Sequence, residues 1–305
     1  MEQTLQKSIV ETLCYFSQFE YPLTREELFT YLWRAPAASY DDYSQALERG
    51  VEGVEQHEGF YHLRGEEALV GKRAVASQVS EQKLERGMGA ARLIRWVPFL
   101  RAVFVCNTVA AKVATPESDI DVFIIAQKNH LWTVRFLSNI ILFLCGLRRH
   151  GSKITDRICL SFYVDTDHLS LDPLKLAGDD IYLAYWLVQL VPLYDPALYK
   201  NTLLETNAWT HALLPNARKP LGFPLDMSPQ WIKKYLEFLL ARVFGSWLER
   251  GLKKMQLKKI HRSSEGKKRD LPTAVVVTDG VLKFHETDRR ELFRERWLAK
   301  CATFV

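Results

Sequence analysis

The chain has 305 residues, of which 48% are hydrophobic and 25% are charged. These proportions are typical of a globular protein, so they exclude wholesale disorder and collagen-like or other fibrous structure. The 41 Lys and Arg residues exceed the 36 Asp and Glu residues by five, a surplus too small to favour any class of partner. The length allows two domains, or three small ones.

The cysteines and the apolar segments predict a cytoplasmic protein. Five cysteines are scattered along the chain and none forms a CxxC pair, which is typical of a reducing compartment. Residues 1–11 lack the basic and then apolar regions of a signal peptide. The strongest apolar stretch, residues 136–147, is shorter than the about 20 residues that cross a bilayer. We therefore expect it to form a buried helix, and we expect no membrane partner.

Residues 1–70 predict three helices followed by a β-hairpin. Apolar residues at helical spacing mark the first helix, and Thr24 with Glu27 forms the capping box that begins the second. A third helix is predicted over 40–54, and the alternating segment 59–65 is bracketed by glycines, as in a hairpin. This order resembles a winged helix-turn-helix domain.

The charge of the third helix bears on what this domain contacts. In a winged helix this element would bind DNA, and affinity for DNA comes chiefly from cations that face phosphates. The predicted helix instead carries four acidic residues against one arginine: Asp41, Asp42, Glu48, Glu52 and Arg49. We therefore favour a structural or protein-contact role for this domain over DNA binding.

The pattern changes after residue 70. A polar connector over 71–97 ends in an amphipathic helix, and residues 98–215 then alternate strands with helices, which predicts an α/β or α+β domain. The predicted strands are 102–106, 119–125 and 158–164, and the predicted helices are 108–114, 131–147, 181–191 and 209–214.

Residues 216–305 predict a helical, basic C-terminal region. An amphipathic helix is predicted over 231–250. Asp279 and Gly280 are typical of the turn of a β-hairpin, and Asp288 is predicted to cap a last helix.

Asp119 and Asp121 are the strongest candidates for a functional site. Residues i and i+2 of a strand point to the same face, so the two carboxylates face one way while Ile120 and Val122 face the core. Two adjacent negative charges repel, and a hard divalent cation with oxygen ligands, above all Mg²⁺, would offset that repulsion. Such an ion would hold a nucleoside triphosphate (NTP) and neutralise charge on its phosphates. A solvated strand edge is the alternative interpretation.

The segment around this pair resembles a known enzyme family. Residues 101–125 predict a strand, a short helix and a loop, followed by Ser-Asp-Ile-Asp at the start of the next strand. This order resembles the DNA polymerase β-like nucleotidyltransferase superfamily, particularly its minimal bacterial members, over residues 98–165 and on to 215. The resemblance implies a mixed sheet with flanking helices. It also implies transfer of a nucleoside monophosphate (NMP) from an NTP to a hydroxyl, with Mg²⁺, or alternatively Mn²⁺, held by Asp119 and Asp121.

The family's phosphate-binding Gly-Ser pair is altered in this chain. Asn107 and Thr108 fall at those positions. Asn tolerates unusual backbone angles and Thr keeps a hydroxyl, so the resemblance still implies a turn that contacts the substrate. Ser118 beside the acidic pair and Lys112 after the turn are further substrate-binding candidates, although for Lys112 we favour the role of an ordinary exposed helical lysine.

The resemblance also implies a third carboxylate on a neighbouring strand, as a metal ligand or as the base toward the attacking hydroxyl. The predicted strand 158–164 contains no acid, and Ser161 occupies a suitable position in it. Asp156 before the strand and Asp165 after it are the nearest substitutes. A positioned base typically contributes about 10²–10⁴-fold to a rate, so its loss predicts a slow enzyme or a nucleotide binder without turnover.

Arg135 interrupts the apolar helix face of Leu-Trp-Thr-Val-Arg-Phe-Leu. A guanidinium in such surroundings costs desolvation free energy unless it is paired. Its partner would be a triphosphate, which makes it a substrate-binding candidate, or an internal carboxylate such as Asp119 or Asp156. We favour the internal ion pair.

The positive charge of the chain is concentrated in one tract. Residues 251–270 carry eight Lys and Arg residues against Glu265 and Asp270, a net charge of +6, so the rest of the chain is close to neutral. A solvated helix face is one interpretation of such a tract, and a nucleic-acid contact is the other. Three hypotheses follow: an NMP-transferring enzyme, a non-catalytic scaffold or regulator with the same fold, and a nucleic-acid binder that uses this tract.

Overall fold

The computed structural model describes residues 2–36, 39–217, 231–243, 245–264, 274–284 and 288–304. The described helices and strands follow in chain order: α1 (Glu2–Ser17), β1 (Leu23–Thr24), α2 (Arg25–Thr30), α3 (Tyr40–Arg49), β2 (Val54–His57), β3 (Phe60–Leu63), α4 (Leu69–Ile94), β4 (Leu100–Val105), α5 (Asn107–Ala110), β5 (Ile120–Ala126), α6 (Leu131–Leu144), β6 (Ile158–Asp165), α7 (Ile181–Gln189), β7 (Val191–Tyr194), α8 (Tyr199–Thr206), α9 (Trp209–Leu213), α10 (Trp231–Val243), α11 (Gly245–Ser264), β8 (Val275–Val277), β9 (Val281–Phe284) and α12 (Arg290–Cys301).

The N-terminal part combines α1, α2 and α3 with a small antiparallel sheet in the order β1-β3-β2. The capping box of α2 is confirmed: Glu27 N donates to Thr24 Oγ1 over 3.2 Å, and Thr24 N donates to the Glu27 carboxylate over 3.1 Å. The third helix is shorter than predicted. It ends at Arg49 because Gly50 has a φ of 87°, which leaves the helical conformation, and Val54 already begins a strand.

A second sheet of six strands forms the centre of the molecule, in the order β7-β4-β5-β6-β9-β8. β5 and β6 are parallel, and the other neighbouring pairs are antiparallel. The described residues therefore form an α+β protein with a mixed sheet, and the broad fold class predicted from the sequence is confirmed.

Helices cover both faces of the central sheet because alternate residues of its strands point to opposite sides. Val122 and Ile124 of β5 pack in one apolar cluster with α4 and α6. Phe123 and Ile125 pack in another, against α7 and α8. Because side chains alternate along a strand, Asp121 points to the same face of the sheet as Phe123, the face that α7 covers. The candidate site therefore lies on that side of the sheet.

Strand β7 was not predicted. The sequence pattern predicts a helix that ends before Pro192 and no strand directly after it. In the structure Pro192 lies opposite Phe104 of β4. β7 is an edge strand, where a proline is tolerated because its missing N–H need not face a neighbour.

The predicted C-terminal hairpin is confirmed, and it extends the central sheet. β8 pairs with β9 at Val276 and Lys283, and β9 pairs with β6 at Leu282 and Tyr163. The described residues of the predicted segment 231–250 are helical, in α10 and in the first part of α11, and α11 continues to Ser264. The described part of the basic tract is thus helical, and its residues 265–270 lie outside the described residues.

The apolar segment 136–147 is less buried than predicted. It forms the second half of α6, and Leu142 is fully buried. Phe143 and Leu144, however, are 53% and 77% exposed, because only one side of the helix contacts the sheet and its neighbours. Among the helices that the structure describes, none is long and apolar enough to cross a bilayer.

Candidate functional site

The two predicted carboxylates lie at the beginning of β5. Asp119 directly precedes the strand and Asp121 is its second residue, and both side chains are half-buried. Ile120 and Val122, between and after them, are buried in the opposite apolar cluster. The strand alternation that places the carboxylates on one face is therefore present as expected.

A thiol, not a carboxylate, joins this pair from the neighbouring strand. The register of β5 and β6 sets Cys159 opposite Asp121. The ligand atoms of Asp119, Asp121 and Cys159 all lie within 4.8 Å of one another, and within the described part of the chain this group contains no third carboxylate. Cys159 had not been singled out from the sequence.

The three residues considered for the third position lie in different places. Ser161 is buried and lines the same cavity as Asp121. Asp156 is bound to helix α4, where it pairs with Lys83 at 2.7 Å and with Arg86. Asp165 ends β6, six residues beyond Cys159 or about 20 Å along the strand. Asp156 and Asp165 are therefore not brought to the acidic pair.

Asn107 orients Asp121. Its φ of 55° lies in the left-handed region, which asparagine tolerates better than most residues. Its Nδ2 donates to Asp121 Oδ2 over 2.7 Å, and its Oδ1 accepts from Trp186 Nε1 over 2.9 Å and from the Tyr182 hydroxyl over 3.5 Å. The side chain predicted to contact the substrate thus also holds one of the two carboxylates in place.

Burial and mutual repulsion make the acidic pair costly when no cation is near it. Burial raises the pKa of Asp121 above its usual range, and the charge of Asp119 raises this pKa further. The hydrogen bonds from Asn107 and Cys159 and the more distant guanidinium of Arg149 lower this pKa and offset these effects only in part. Positive charge placed between the two carboxylates would remove the penalty.

Arg149 supplies part of that charge. Its Nη1 donates to Asp119 Oδ2 over 2.6 Å and lies 3.8 Å from Cys159 Sγ. This residue follows α6 in a loop and was missed by the sequence interpretation. The run Arg148-Arg149-His150 was the available signal.

Asp121 and Cys159 line a cavity of ≈ 880 Å³. Its lining is rich in cations, which are Arg135, Arg148, Arg149, Lys283, Arg289 and Arg290. Three of these already have carboxylate partners, because Arg149 pairs with Asp119 at 2.6 Å, Lys283 pairs with Asp288 at 3.0 Å and Arg290 pairs with Asp180 at 2.6 Å. The lining still carries more positive than negative charge, which favours an anionic ligand.

Arg135 is in this lining, but the expected internal ion pair is not formed. Its Nη1 donates to Gln256 Oε1 over 2.6 Å, and its guanidinium lies 4.7 Å from the ring centre of Phe284. Asp119 pairs with Arg149 instead, and Asp156 pairs with α4. The prediction of a salt bridge from Arg135 to either carboxylate was therefore wrong.

Three other substrate-binding candidates lie outside the cavity lining. Thr108 and Lys112 are exposed, and Thr108 borders a separate apolar pocket of ≈ 50 Å³ between α1, α5 and α7. Ser118 Oγ accepts from Thr115 N over 3.0 Å and so shapes the loop before Asp119. In this structure the cavity is thus defined by Asn107, Asp121 and the arginines, not by these three residues.

Comparisons of the chain with protein-family models, with curated proteins and with solved structures found no match.

Proposed function

We propose that this chain is a nucleotidyltransferase-like protein that binds an NTP with Mg²⁺ at Asp119 and Asp121 and transfers the NMP to a hydroxyl acceptor. One observation carries the proposal: Asp121, with Asp119 beside it, lies in the lining of a cavity of ≈ 880 Å³ that is rich in arginine. Carboxylates suit a hard divalent cation, and arginines suit phosphate oxygens. A cavity of this size accommodates a ligand as large as a nucleotide.

In the proposed reaction the acceptor oxygen attacks the α-phosphorus of the NTP. A new P–O bond forms to the acceptor, the bond from the α-phosphorus to the bridging oxygen breaks, and pyrophosphate leaves. The metal ion would neutralise charge on the phosphates, and Asp119 and Asp121 are the residues that would hold it. Arg135 and Arg148 line the cavity, where they would contact the phosphate oxygens.

Among the described residues, the group of Asp119, Asp121 and Cys159 contains no third carboxylate that could accept the proton of the acceptor hydroxyl. We infer that this proton leaves to water, and that turnover is slow for this reason. The same observation favours a second candidate function, a nucleotide-binding scaffold or regulator without turnover.

Isothermal titration of Mg-NTP tests the proposed site. Each NTP is titrated into the wild type, into Asp121→Asn and into Asp172→Asn, an exposed aspartate outside the cavity lining that serves as the matched control. We expect one NTP to bind the wild type and the control equally, and to bind Asp121→Asn at least about tenfold more weakly, because a charged metal ligand is lost. Equal binding by all three proteins, or no binding by any, would contradict the site.

A transfer assay separates the enzyme from the scaffold. Protein is incubated with NTPs labelled at the α-phosphate and with cell extract, and label on any acceptor is measured. Label transferred by the wild type and not by Asp121→Asn supports the enzyme. Nucleotide binding without transferred label supports the scaffold.

The finer structural predictions belong to the same proposal. We infer that the central sheet is of the nucleotidyltransferase type and that α1–α3 with the small sheet form a winged-helix-like domain. The order of helices, the capping box and the β2–β3 hairpin support the second inference. A cytoplasmic location and a nucleic-acid contact through residues 251–270 stay predictions.

A further inference from the structure

Cys159 adds a sulfur donor to the two carboxylates of the proposed site. We propose that Asp119, Asp121 and Cys159 together bind one borderline divalent cation, Zn²⁺ or Co²⁺, in preference to Mg²⁺. The inference rests on the proposed function in taking the Asp119–Asp121 pair as the metal site. The inference goes beyond the proposed function because it assigns a third ligand and a class of metal.

The geometry allows one ion to contact all three side chains. In protein zinc sites the metal lies about 2.3 Å from sulfur and about 2.1 Å from oxygen, so ligand atoms of a tetrahedral site are about 3.5 Å apart. The three ligand atoms here lie within 4.8 Å of one another before any ion is present. Small side-chain rotations would close the remaining difference.

The chemistry of the donors decides which ion is favoured. Mg²⁺ demands oxygen ligands in a nearly ideal octahedron and gains little from sulfur. A thiolate with two carboxylates suits Zn²⁺ or Co²⁺, which accept sulfur, nitrogen and oxygen. On binding, the thiol releases its proton to solvent and becomes a thiolate ligand.

Arg149 already places one positive charge at this cluster. Its guanidinium bridges two of the three donors, at 2.6 Å from Asp119 Oδ2 and 3.8 Å from Cys159 Sγ. Metal and guanidinium would compete for the same oxygen. We infer that the ion displaces Arg149 into the cavity that this residue already lines, where it can contact an anionic ligand.

A cobalt titration tests the thiol ligand directly. Tag-free protein is titrated with Co²⁺, and the near-ultraviolet charge-transfer band of a cobalt–thiolate bond is followed. The variants are Cys159→Ser and, as the matched control, Cys145→Ser, which removes an exposed thiol. We expect the band in the wild type and the control and its loss in Cys159→Ser. Zn²⁺ should displace Co²⁺ and abolish the band. Mg²⁺ in 100-fold excess over Co²⁺ should leave the band unchanged.

Two further variants test selectivity and competition. Cys159→Asp replaces the thiol by a third carboxylate, so the ratio of Co²⁺ to Mg²⁺ affinity should fall at least about tenfold. Arg149→Gln removes the competing cation, so Co²⁺ should bind about fivefold more tightly. Cobalt binding without the band, or equal binding by wild type and Cys159→Ser, would overturn the inference.

The outcome is separable from that of the proposed function. Mg-NTP binding that depends on Asp121, together with no cobalt–thiolate band, would reject the metal assignment and leave the nucleotide site standing. A band that depends on Cys159, together with no nucleotide binding, would reject the nucleotide site and support the metal site.

Discussion

Asn107 combines a strained backbone with three side-chain hydrogen bonds, which is the pattern expected of a residue that positions another group. It holds Asp121 by one oxygen and Trp186 by the indole N–H. The backbone conformation and the side-chain hydrogen bonds contribute separately to stability. Glycine adopts this backbone conformation easily but has no side chain to form the hydrogen bonds.

Replacing Asn107 by Gly and by Ala separates these contributions. Both variants lose the hydrogen bonds to Asp121 and Trp186, at about 1 kcal/mol each. Ala must also adopt a φ of 55°, at a cost of about 1–2 kcal/mol. We expect Asn107→Ala to be less stable than Asn107→Gly by about 1 kcal/mol, after the greater freedom of glycine in the unfolded chain is included. Urea unfolding measures both, and equal stabilities would show that the backbone at 107 is unstrained.

Between two helices, a buried lysine binds carbonyl oxygens that have no partner in their own helix. Lys200 of α8 is buried, and its Nζ donates to three carbonyl oxygens around the end of α7, those of Leu187, Val188 and Leu190, over 2.6–3.1 Å. Carbonyls at a helix C-terminus have no partner within their own helix, and the three N–H groups of the protonated lysine satisfy them. Burial lowers the pKa of Lys200 to about 7, and the carboxylate of Asp195 opposes this shift.

This lysine predicts a specific pH dependence. The unfolded chain keeps the lysine protonated up to about pH 10.4, whereas the folded chain releases the proton near pH 7. Between these values the unfolded state binds one proton more, so the free energy of unfolding should rise with pH by about 1.4 kcal/mol per unit from Lys200 alone.

Urea unfolding of wild type and Lys200→Met between about pH 7 and about pH 9.5 measures this contribution as the difference between the two slopes. Lys254→Met, which changes an exposed lysine of α11, is the control and should keep the wild-type slope. The same slope in all three proteins would mean that Lys200 stays charged when folded.

The predictable elements are those whose signal is local. β4, β5 and β6 are mostly apolar segments, and α2 begins at a complete capping box, so each can be recognised from a few neighbouring residues. The carboxylate pair was found for the same reason, because its geometry depends only on the alternation of a single strand.

The unpredicted features depend on how distant segments meet. The register of β5 and β6 shifts between Asp121 and Phe123, and this irregularity sets Cys159 opposite Asp121. A sequence pattern contains no inter-strand register, so it pointed to Ser161 instead. In α10 the structure buries the charged Lys233 and leaves Trp231 67% exposed, the reverse of the usual amphipathic arrangement. Lys233 Nζ donates to Leu100 O over 2.6 Å, a partner that no local pattern reveals.

In the tertiary structure, the last described helix, α12, packs against the first helix, α1. Trp297 of α12 is 3% exposed in the apolar cluster of the N-terminal part. Its indole Nε1 donates to Glu11 O of α1 over 2.9 Å, and its ring meets Trp33 edge-on with centroids 5.6 Å apart. Tyr15 of α1 also stacks on Tyr185 of α7 at 4.2 Å, so the N-terminal part contacts the helices beside the candidate site as well.

These contacts predict that the N-terminal and central parts unfold together. Trp297→Ala should lower the free energy of unfolding by about 3–5 kcal/mol, because it leaves a large cavity and removes the hydrogen bond between α12 and α1. Leu298→Ala in the same helix changes a side chain that is 53% exposed, and it should cost less than about 1 kcal/mol. Urea unfolding followed by far-ultraviolet circular dichroism and by tryptophan fluorescence should give one coincident transition in the wild type. Two separate transitions in the wild type, or a small effect of Trp297→Ala, would mean that α12 lies against the N-terminal part without stabilising it.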